Sequence, residues 1–528
     1  MSKSPIPLWV LFWVLVTFVS LLTRSFLPID ETRYVSVAWD MWLQGNFLVP
    51  HLNGELYSDK PPLLFWLFQL GWAVFGINDI WPRIVPPIFG AASLFLTANI
   101  ARQLWPDRPA IAGLAPLIVI SSLLWTIFVS ATMFDMLIVF FTLVGVLGII
   151  RSWLHSGING WLILGVSIGL GILAKGPVIL IHTLPLALLA PWWATEHRPA
   201  HWLSWYAGLA LAVAIGILIA LAWAIPAAIM GGEQYSQAIF WGQSAGRMVN
   251  SFAHNRPFWW YLPLLPVILF PWLLWPALWR AFRSLAKQAP SSAVRLCLAW
   301  MVPVFILFSL ISGKQPHYLL PLFPAFALLS SYALNRIGEY REWDPILPGL
   351  FVVSIGCAMV LHSLFPLSSN LMNVLSKINP YYGLILIALS PVLCGLYRIS
   401  GELRTTLMSV LGVLIVVTLH LSLTGVFSCY DMRNPSSYVA RLQSQNTAIS
   451  YVGKYHGVFN FLGRLKKPLD VIREDQVRQW AVEHPDGRII ADEEHLSKEP
   501  KILPEYQYTY GTHILRIWKS SAIIAGQR

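Results

Sequence analysis

The pentad Asp30-Glu31-Thr32-Arg33-Tyr34 follows directly on the first long apolar stretch. Two adjacent carboxylates at that point serve either as caps for a following helix, favoured by its dipole, or as a general base facing a reaction cleft. Farther along stands Tyr57-Ser58-Asp59-Lys60-Pro61-Pro62. Its lysine is either an interfacial side chain reaching for water or an ammonium for a phosphate. Asp135 and Lys175 lie deeper in apolar sequence, and from about Trp153 to Thr195 Lys175 has no other Lys, Arg, Asp or Glu for company. A charge in such surroundings costs several kcal/mol by order of magnitude. Lys175 therefore asks for a reason, and Asp135 is its natural ion-pair partner. Arg247, His254 and Arg256, with Gly313-Lys314-Gln315-Pro316-His317-Tyr318, complete the set. Singly each is an interfacial anchor; together they are several cations aimed at one cavity, which suits an anionic ligand.

The chemistry of that ligand is narrowed by what the chain lacks. It holds no GxxxxGK phosphate loop and no Asp-x-Asp, and no cytosolic stretch large enough to bind a nucleotide sugar. A membrane-embedded cationic site without nucleotide machinery points to a lipid phosphate or diphosphate.

The elements that must position these groups are membrane helices. Of 528 residues, 56% are hydrophobic and 12% charged, against about 25% charged in an average soluble domain. Apolar runs of roughly 20 residues, each able to cross a bilayer, recur to about residue 428. The 26 tryptophans suit many membrane–water boundaries. The spacing predicts about 13 transmembrane helices. The first ends near Leu27, and the rest begin after a mixed loop over 28–83 and include one over 258–279. Within the loop, Pro28 and Asp30 open a short interfacial helix with Tyr34, Ala38, Met41 and Trp42 on one face, and Pro61-Pro62 open a second.

The net charge of +11 follows the positive-inside rule rather than nucleic acid, since no basic stripe interleaved with aromatics occurs. Arg280, Arg283, Lys287 and Arg295 share one loop, Arg336 and Arg341 another, Arg398 and Arg404 a third. With those loops inside, the 28–83 loop and everything after 428 lie outside. The four cysteines are scattered and form no disulfide framework. Gly165, Gly169 and Gly171 read as close helix packing. The organisation expected is a transmembrane domain over 1–428 and a small extracytoplasmic α/β domain over 429–528. Strand-length apolar runs in the latter fall at Ala448–Val452, Val458–Leu462, Tyr506–Tyr510 and Ile514–Trp518.

The pentad, Lys60-Pro61-Pro62, Lys175-Gly176-Pro177 and the stretch from His254 to Pro263 resemble the GT-C membrane glycosyltransferases. Within that group the order and length most resemble bacterial 4-amino-4-deoxy-L-arabinose lipid A transferases, relatives of the protein O-mannosyltransferases. The resemblance implies a bacterial inner-membrane enzyme, active on its periplasmic side. It would move a sugar from polyprenyl phosphate to lipid A or another envelope acceptor by a single inverting displacement. It also implies roles. Asp30 matches the family's first-loop acid, with Glu31 beside it. Arg33 and Lys60 match its lipid-phosphate ligands, and Tyr57, Lys175, Lys314 and Tyr318 are the further donor-binding candidates. Asp135, Arg247 and Arg256 support them. The family commonly reads Glu-Lys-Pro where this chain reads Asp59-Lys60-Pro61, which draws that carboxylate back by one methylene. In relatives the acid and a histidine like His254 can hold a divalent metal, so Asp59 and His254 are the candidate metal pair. A protein O-mannosyltransferase-like activity, or a flippase for lipid-linked sugars, are the alternatives.

Overall fold

The computed structural model describes residues 7–155, 157–240, 255–337, 340–364, 374–399, 403–492 and 502–525. Among them, eight helices are long and apolar enough to span a membrane, and five shorter apolar helices accompany them. Helix α1 (Leu8–Thr23) leads to α2 (Asp30–Gln44), a two-stranded hairpin of β1 (His51–Leu52) and β2 (Glu55–Leu56), and α3 (Leu63–Phe75). Both helices expected in the first loop are therefore present. The hairpin turns on Asn53 and Gly54, both at positive φ, the residue pair that a two-residue turn between antiparallel strands prefers.

Then come α4 (Ile80–Leu104), α5 (Pro109–Ser121), α6 (Leu123–Phe128), α7 (Asp135–Leu154), α8 (Asn159–Lys175) and α9 (Val178–Leu188). A long helix, Trp202–Gln237, packs on α8 and turns Leu203, Leu218 and Ile229 outward, 67–83% exposed, as side chains facing lipid would be. A Cβ at Gly165 would lie 2.8 Å from Ile215, and one at Gly169 2.6 Å from Ile219. The glycines let the two backbones close up, as expected.

One expected span is not a helix. Residues 258–279 form a broken path of short turns, Leu262–Leu264, Leu265–Ile268 and Trp272–Leu274, before an amphipathic helix begins at Pro276. Pro257, Pro263, Pro266, Pro271 and Pro276 each remove a backbone donor, so no helix of spanning length persists there. The segment is buried by aromatic packing instead: Tyr261, Phe270, Trp272 and Trp275 are fully enclosed. The remaining long helices are Ser292–Leu310, Ile346–Leu364, Tyr381–Ile399 and Arg404–Ser422. A 3-10 turn over Pro316–Leu322 runs into helix Phe323–Leu334.

The last hundred residues form a five-stranded sheet ordered β4-β3-β5-β7-β6. Its strands are β3 (Ile449–Val452), β4 (Asp470–Ile472), β5 (Arg488–Asp492), β6 (Tyr506–Tyr510) and β7 (His513–Lys519). Strand alternation gives it two apolar faces, one with Tyr451, Ile490 and Ile517, the other with Val452, Ile489 and Trp518. The run Val458–Leu462 is not the strand its composition suggested. Gly457 sits at positive φ, where a Cβ would come within 2.5 Å of Leu52, and Gly463 closes the turn. The intervening loop pushes Phe461 between the first-loop helices, stacked on Trp72 at 5.0 Å and edge-on to Trp39 and Phe26. Backbone contacts fix it there: Ser36 Oγ donates to Gly457 O at 2.6 Å and Trp39 Nε1 to Leu465 O at 2.9 Å.

Candidate functional site

Gly176, at positive φ, stops α8 at Lys175, and Pro177 starts α9. The ammonium thus stands at a helix C-terminus while Asp135 opens α7, so each charge meets the favourable end of its helix dipole. Lys175 Nζ donates to Asp135 Oδ1 at 2.6 Å, with Asp135 buried and Lys175 15% exposed. Asp135 is the partner the sequence suggested. The uncovered side of Lys175 lies over the Tyr318 ring at 5.3 Å. His317 Nε2 approaches the same carboxylate oxygen at 3.9 Å, its ring stacked on Phe128. A cavity of about 160 Å³ opens here, lined by Lys60, Lys175, His182, His317 and Tyr318 with the apolar Phe308. Two ammonium groups from distant parts of the chain thus face one small space.

The first-loop residues form the adjoining wall. Asp30 stands at the start of α2 with its side chain 51% exposed and pairs with Arg33 one turn on. The Tyr34 hydroxyl donates to Asp30 Oδ1 at 3.3 Å. Burial, reinforced by the Asp30 charge, holds the Tyr34 phenol above its ordinary range, so it stays a donor. Tyr57 is buried close enough for its phenol to act electrostatically on Arg33 and Tyr34. Rings link this wall to Asp135: Tyr57 meets Phe65, Phe65 meets Phe134, and Phe134 meets Tyr34, at 6.2, 5.6 and 4.9 Å. Lys60, which belongs to the same first loop, lines the cavity with Lys175 and His317 and so brings the loop to the site.

Other expected members fall elsewhere. Glu31, expected beside Asp30 in catalysis, points away and is saturated. It accepts from Arg24 at 2.7 and 2.9 Å, from the Leu27 N–H at 2.9 Å and from the Thr132 N–H at 2.8 Å. Arg24 in turn binds the Ser130 carbonyl. The geometry makes Glu31 a strut between the end of α1, the start of α2 and the loop before α7, because consecutive helical residues project about 100° apart. Lys314 is buried and donates to the carbonyls of Ile311 and, at 3.0 Å, Arg256. Its donors hold a loop rather than face the cavity. Arg256 is exposed with its guanidinium over Trp260 at 5.9 Å. Asp59 is half-buried. Arg247 and His254 lie outside the described residues. Among the described residues no three His, Cys, Asp or Glu side chains cluster as a metal site would require. Of the candidate metal pair only Asp59 lies among the described residues.

Two cavity residues were not singled out from sequence. His317 sits inside the string that supplied Lys314 and Tyr318, and proximity to both was its signal. His182 lies seven positions beyond Lys175 on α9 and left no signal apart from being a polar ring in an apolar run.

Comparison with known proteins bears on this arrangement. Residues 59–227 match the family model described as dolichyl-phosphate-mannose-protein mannosyltransferase. The chain is 33% identical over 343 residues to the undecaprenyl phosphate-alpha-4-amino-4-deoxy-L-arabinose arabinosyl transferase of Pseudomonas paraeruginosa, covering 63% of this chain. It is 34% identical over 316 residues to the protein of that name from Pseudomonas aeruginosa strain UCBPP-PA14, covering 58% of this chain. In these matches the chain spans 59% and 55% of the relatives' own lengths. Among solved structures it is similar to ArnT from Cupriavidus metallidurans in the apo state, with TM-score 0.78, 17% identity and 98% of each chain covered. The undecaprenyl phosphate-bound form gives 0.77, again at 17% identity, with 97% of each covered. The fold is that of a polytopic membrane protein carrying a C-terminal sheet. Within that class it is the ArnT fold.

Proposed function

We propose that this chain is an inverting membrane glycosyltransferase. It moves a sugar, aminoarabinose or another pentose or hexose, from a polyprenyl phosphate to an extracytoplasmic acceptor such as lipid A. The observation that carries the proposal is the convergence of Lys60 and Lys175 on one cavity with Tyr318, beside the exposed carboxylate of Asp30. The names of the similar proteins, an arabinosyl transferase using undecaprenyl phosphate and an ArnT bound to that lipid, support the donor class. The roles follow from charge. The polyprenyl phosphate leaves as an anion, and Lys60 and Lys175, with Arg33 at the adjoining wall, stabilise the charge that develops on it. Asp135 keeps Lys175 pointed at the cavity without covering it. Asp30 takes the proton when the acceptor is a hydroxyl. When the acceptor is a phosphate, already anionic, Asp30 orients it or pairs with an amino group on the sugar. The C-terminal domain, over 429–528, is extracytoplasmic.

A purified, full-length enzyme assayed with a polyprenyl-phosphate sugar tests this. Lys60→Ala is expected to weaken donor binding and also to lower the rate at saturating donor, because the contact strengthens in the transition state. Lys60→Arg is expected to rescue in part, its planar fork being longer than an ammonium. Unchanged rate and affinity in Lys60→Ala would place the phosphate elsewhere. Mass spectrometry of lipid A and envelope glycans with and without the gene identifies the acceptor. A glycosylated protein in place of modified lipid A would favour the mannosyltransferase-like reading that the family match raises.

A further inference from the structure

A second polar cavity, of about 380 Å³, opens between the end of α1, the start of α4 and the segment 424–433. It shares no lining residue with the Lys60–Lys175 cavity. Arg24, Arg83 and Arg433 face it. Arg24 is committed to Glu31, and Arg433 to Asp431. The other lining carboxylate, Asp79, is held by Arg464 at 2.6 Å. Counting those partners, four cations meet three carboxylates, and the positive charge left over is that of Arg83. It makes no ion pair among the described residues. One of its nitrogens donates to the carbonyls of Ser20 and Leu21 at 2.9 and 3.2 Å; the charges of Arg24 and Arg433 oppose its own, and those of Glu31 and Asp79, each already paired with another arginine, favour it. Arg83 is half-buried, at the level where Leu22 (69% exposed) and Ile80 (58%) present bare apolar surface from two adjacent helices.

An excess cation in a roomy polar recess suits an anion, and a guanidinium fork suits a phosphate best. Flanking apolar surface at a helix end suits a molecule whose remainder lies in the membrane. We propose that this recess is a second phosphate site, which holds the phosphate headgroup of a membrane lipid on Arg83 and is distinct from the donor cavity.

The test is native mass spectrometry of the full-length protein in the Lys60→Ala background, which weakens the donor cavity's contribution, so that the Arg83 and Ser428 variants are read as differences from that background. The protein is titrated with dioleoyl phosphatidic acid, with the matching diacylglycerol and with inorganic phosphate. Phosphatidic acid is expected to be retained over diacylglycerol. Arg83→Gln, which keeps a donor for the two carbonyls, is expected to weaken it about tenfold, the value of a lost charge-assisted hydrogen bond. Ser428→Glu is expected to do the same by repulsion. Ser428 is exposed and takes part in none of the ion pairs, so this variant reads the site even where Arg83→Gln disturbs the fold. Inorganic phosphate that competes at equal concentration identifies the phosphate group alone as the ligand; failure to compete assigns the site to the whole lipid. Equal retention of diacylglycerol, or parental affinity in Ser428→Glu, overturns the proposal.

Discussion

Asp30 and Glu31 are sequence neighbours in opposite environments. Asp30 is half exposed at the edge of a cationic cavity, while Glu31 is enclosed with Arg24 and takes four donated hydrogen bonds. Their neutral substitutions are expected to part accordingly. Asp30→Asn should leave the melting temperature unchanged and abolish most transfer. Glu31→Gln strands the Arg24 guanidinium without its counter-charge, a loss on the order of 3–5 kcal/mol, and should lower the melting temperature and the yield of folded protein. Parallel thermal-shift and turnover measurements decide between these assignments; a stable but inactive Glu31→Gln would return that residue to the chemistry. Sequence alone singles out both carboxylates, because a charge next to an apolar run is conspicuous. It cannot say which of two adjacent side chains turns inward, since that depends on Thr132 and Ser130, a hundred residues away. Lys175 and Asp135 were legible for the converse reason: each is an isolated charge of opposite sign in an apolar stretch, with no other charged residue close to it in the sequence. His317 was not, because an uncharged ring in a string already holding a lysine and a tyrosine adds little contrast.

At the scale of elements, α2 joins the membrane helices to the C-terminal sheet. Asp30 and Arg33 pair at its start, while Ser36 and Trp39 farther along hold the 457–469 loop, with Asp40 at the seam. Asp40 Oδ2 accepts from the Gly54 N–H at 3.1 Å, and Asn53 is bonded both ways to the Leu469 backbone at 2.8 Å. Burial pushes the Asp40 carboxyl up to about 6, against the hydrogen bonds from Gly54 and Asn53 that act to lower it. The sign follows from proton binding. The folded chain keeps a proton that the unfolded chain releases near 3.8. The group's contribution is therefore full below that value and is lost as pH rises through 6. Asp40→Asn keeps an acceptor and removes the titration. Relative to the parent it should gain stability between pH 4 and 7, on the order of 3 kcal/mol. Melting curves of both proteins over that range check it, and a constant difference would show that Asp40 titrates normally. The hairpin at this seam was not read from the sequence, where the first loop shows two helix starts, although Asn53-Gly54 is a pair such a turn prefers. The broken segment over 258–279 was not. Its hydropathy is that of a span, and only the repeated prolines oppose it. The cost of those prolines is met by aromatic packing that no local pattern reveals.

Across the whole molecule, the cavity and the basic loops occupy opposite ends of the same helices. Asp135 and Lys175 mark the cavity ends of α7 and α8, and Arg151 stands at the far end of α7. Asp79, at the start of α4, is tied to Arg464 near the C-terminal sheet, while Arg102 stands at the other end of α4. Arg108 joins that far end and reaches Asn335 at 3.2 Å. The basic loops read from the sequence gather there too: Arg280 pairs with Asp344 at 2.6 Å, and Arg404 donates to the Tyr340 carbonyl at 3.3 Å. Short loops rich in Lys and Arg stay in the cytoplasm during insertion, whereas a long folded segment crosses largely regardless of its charge. The far end is therefore expected to face the cytoplasm, with the cavity and the sheet outside. Alkaline phosphatase, which needs an oxidising compartment to become active, is expected to be active when fused to the C-terminus. Green fluorescent protein at the same junction should be dark. Fusions placed between Arg102 and Arg108 should behave in the opposite way. A fluorescent C-terminal fusion with inactive phosphatase would turn the molecule over. The donor phosphate would then be engaged from the cytoplasmic leaflet, where a nucleotide-sugar-dependent route is equally open, and the choice of a lipid-linked donor would lose its topological support.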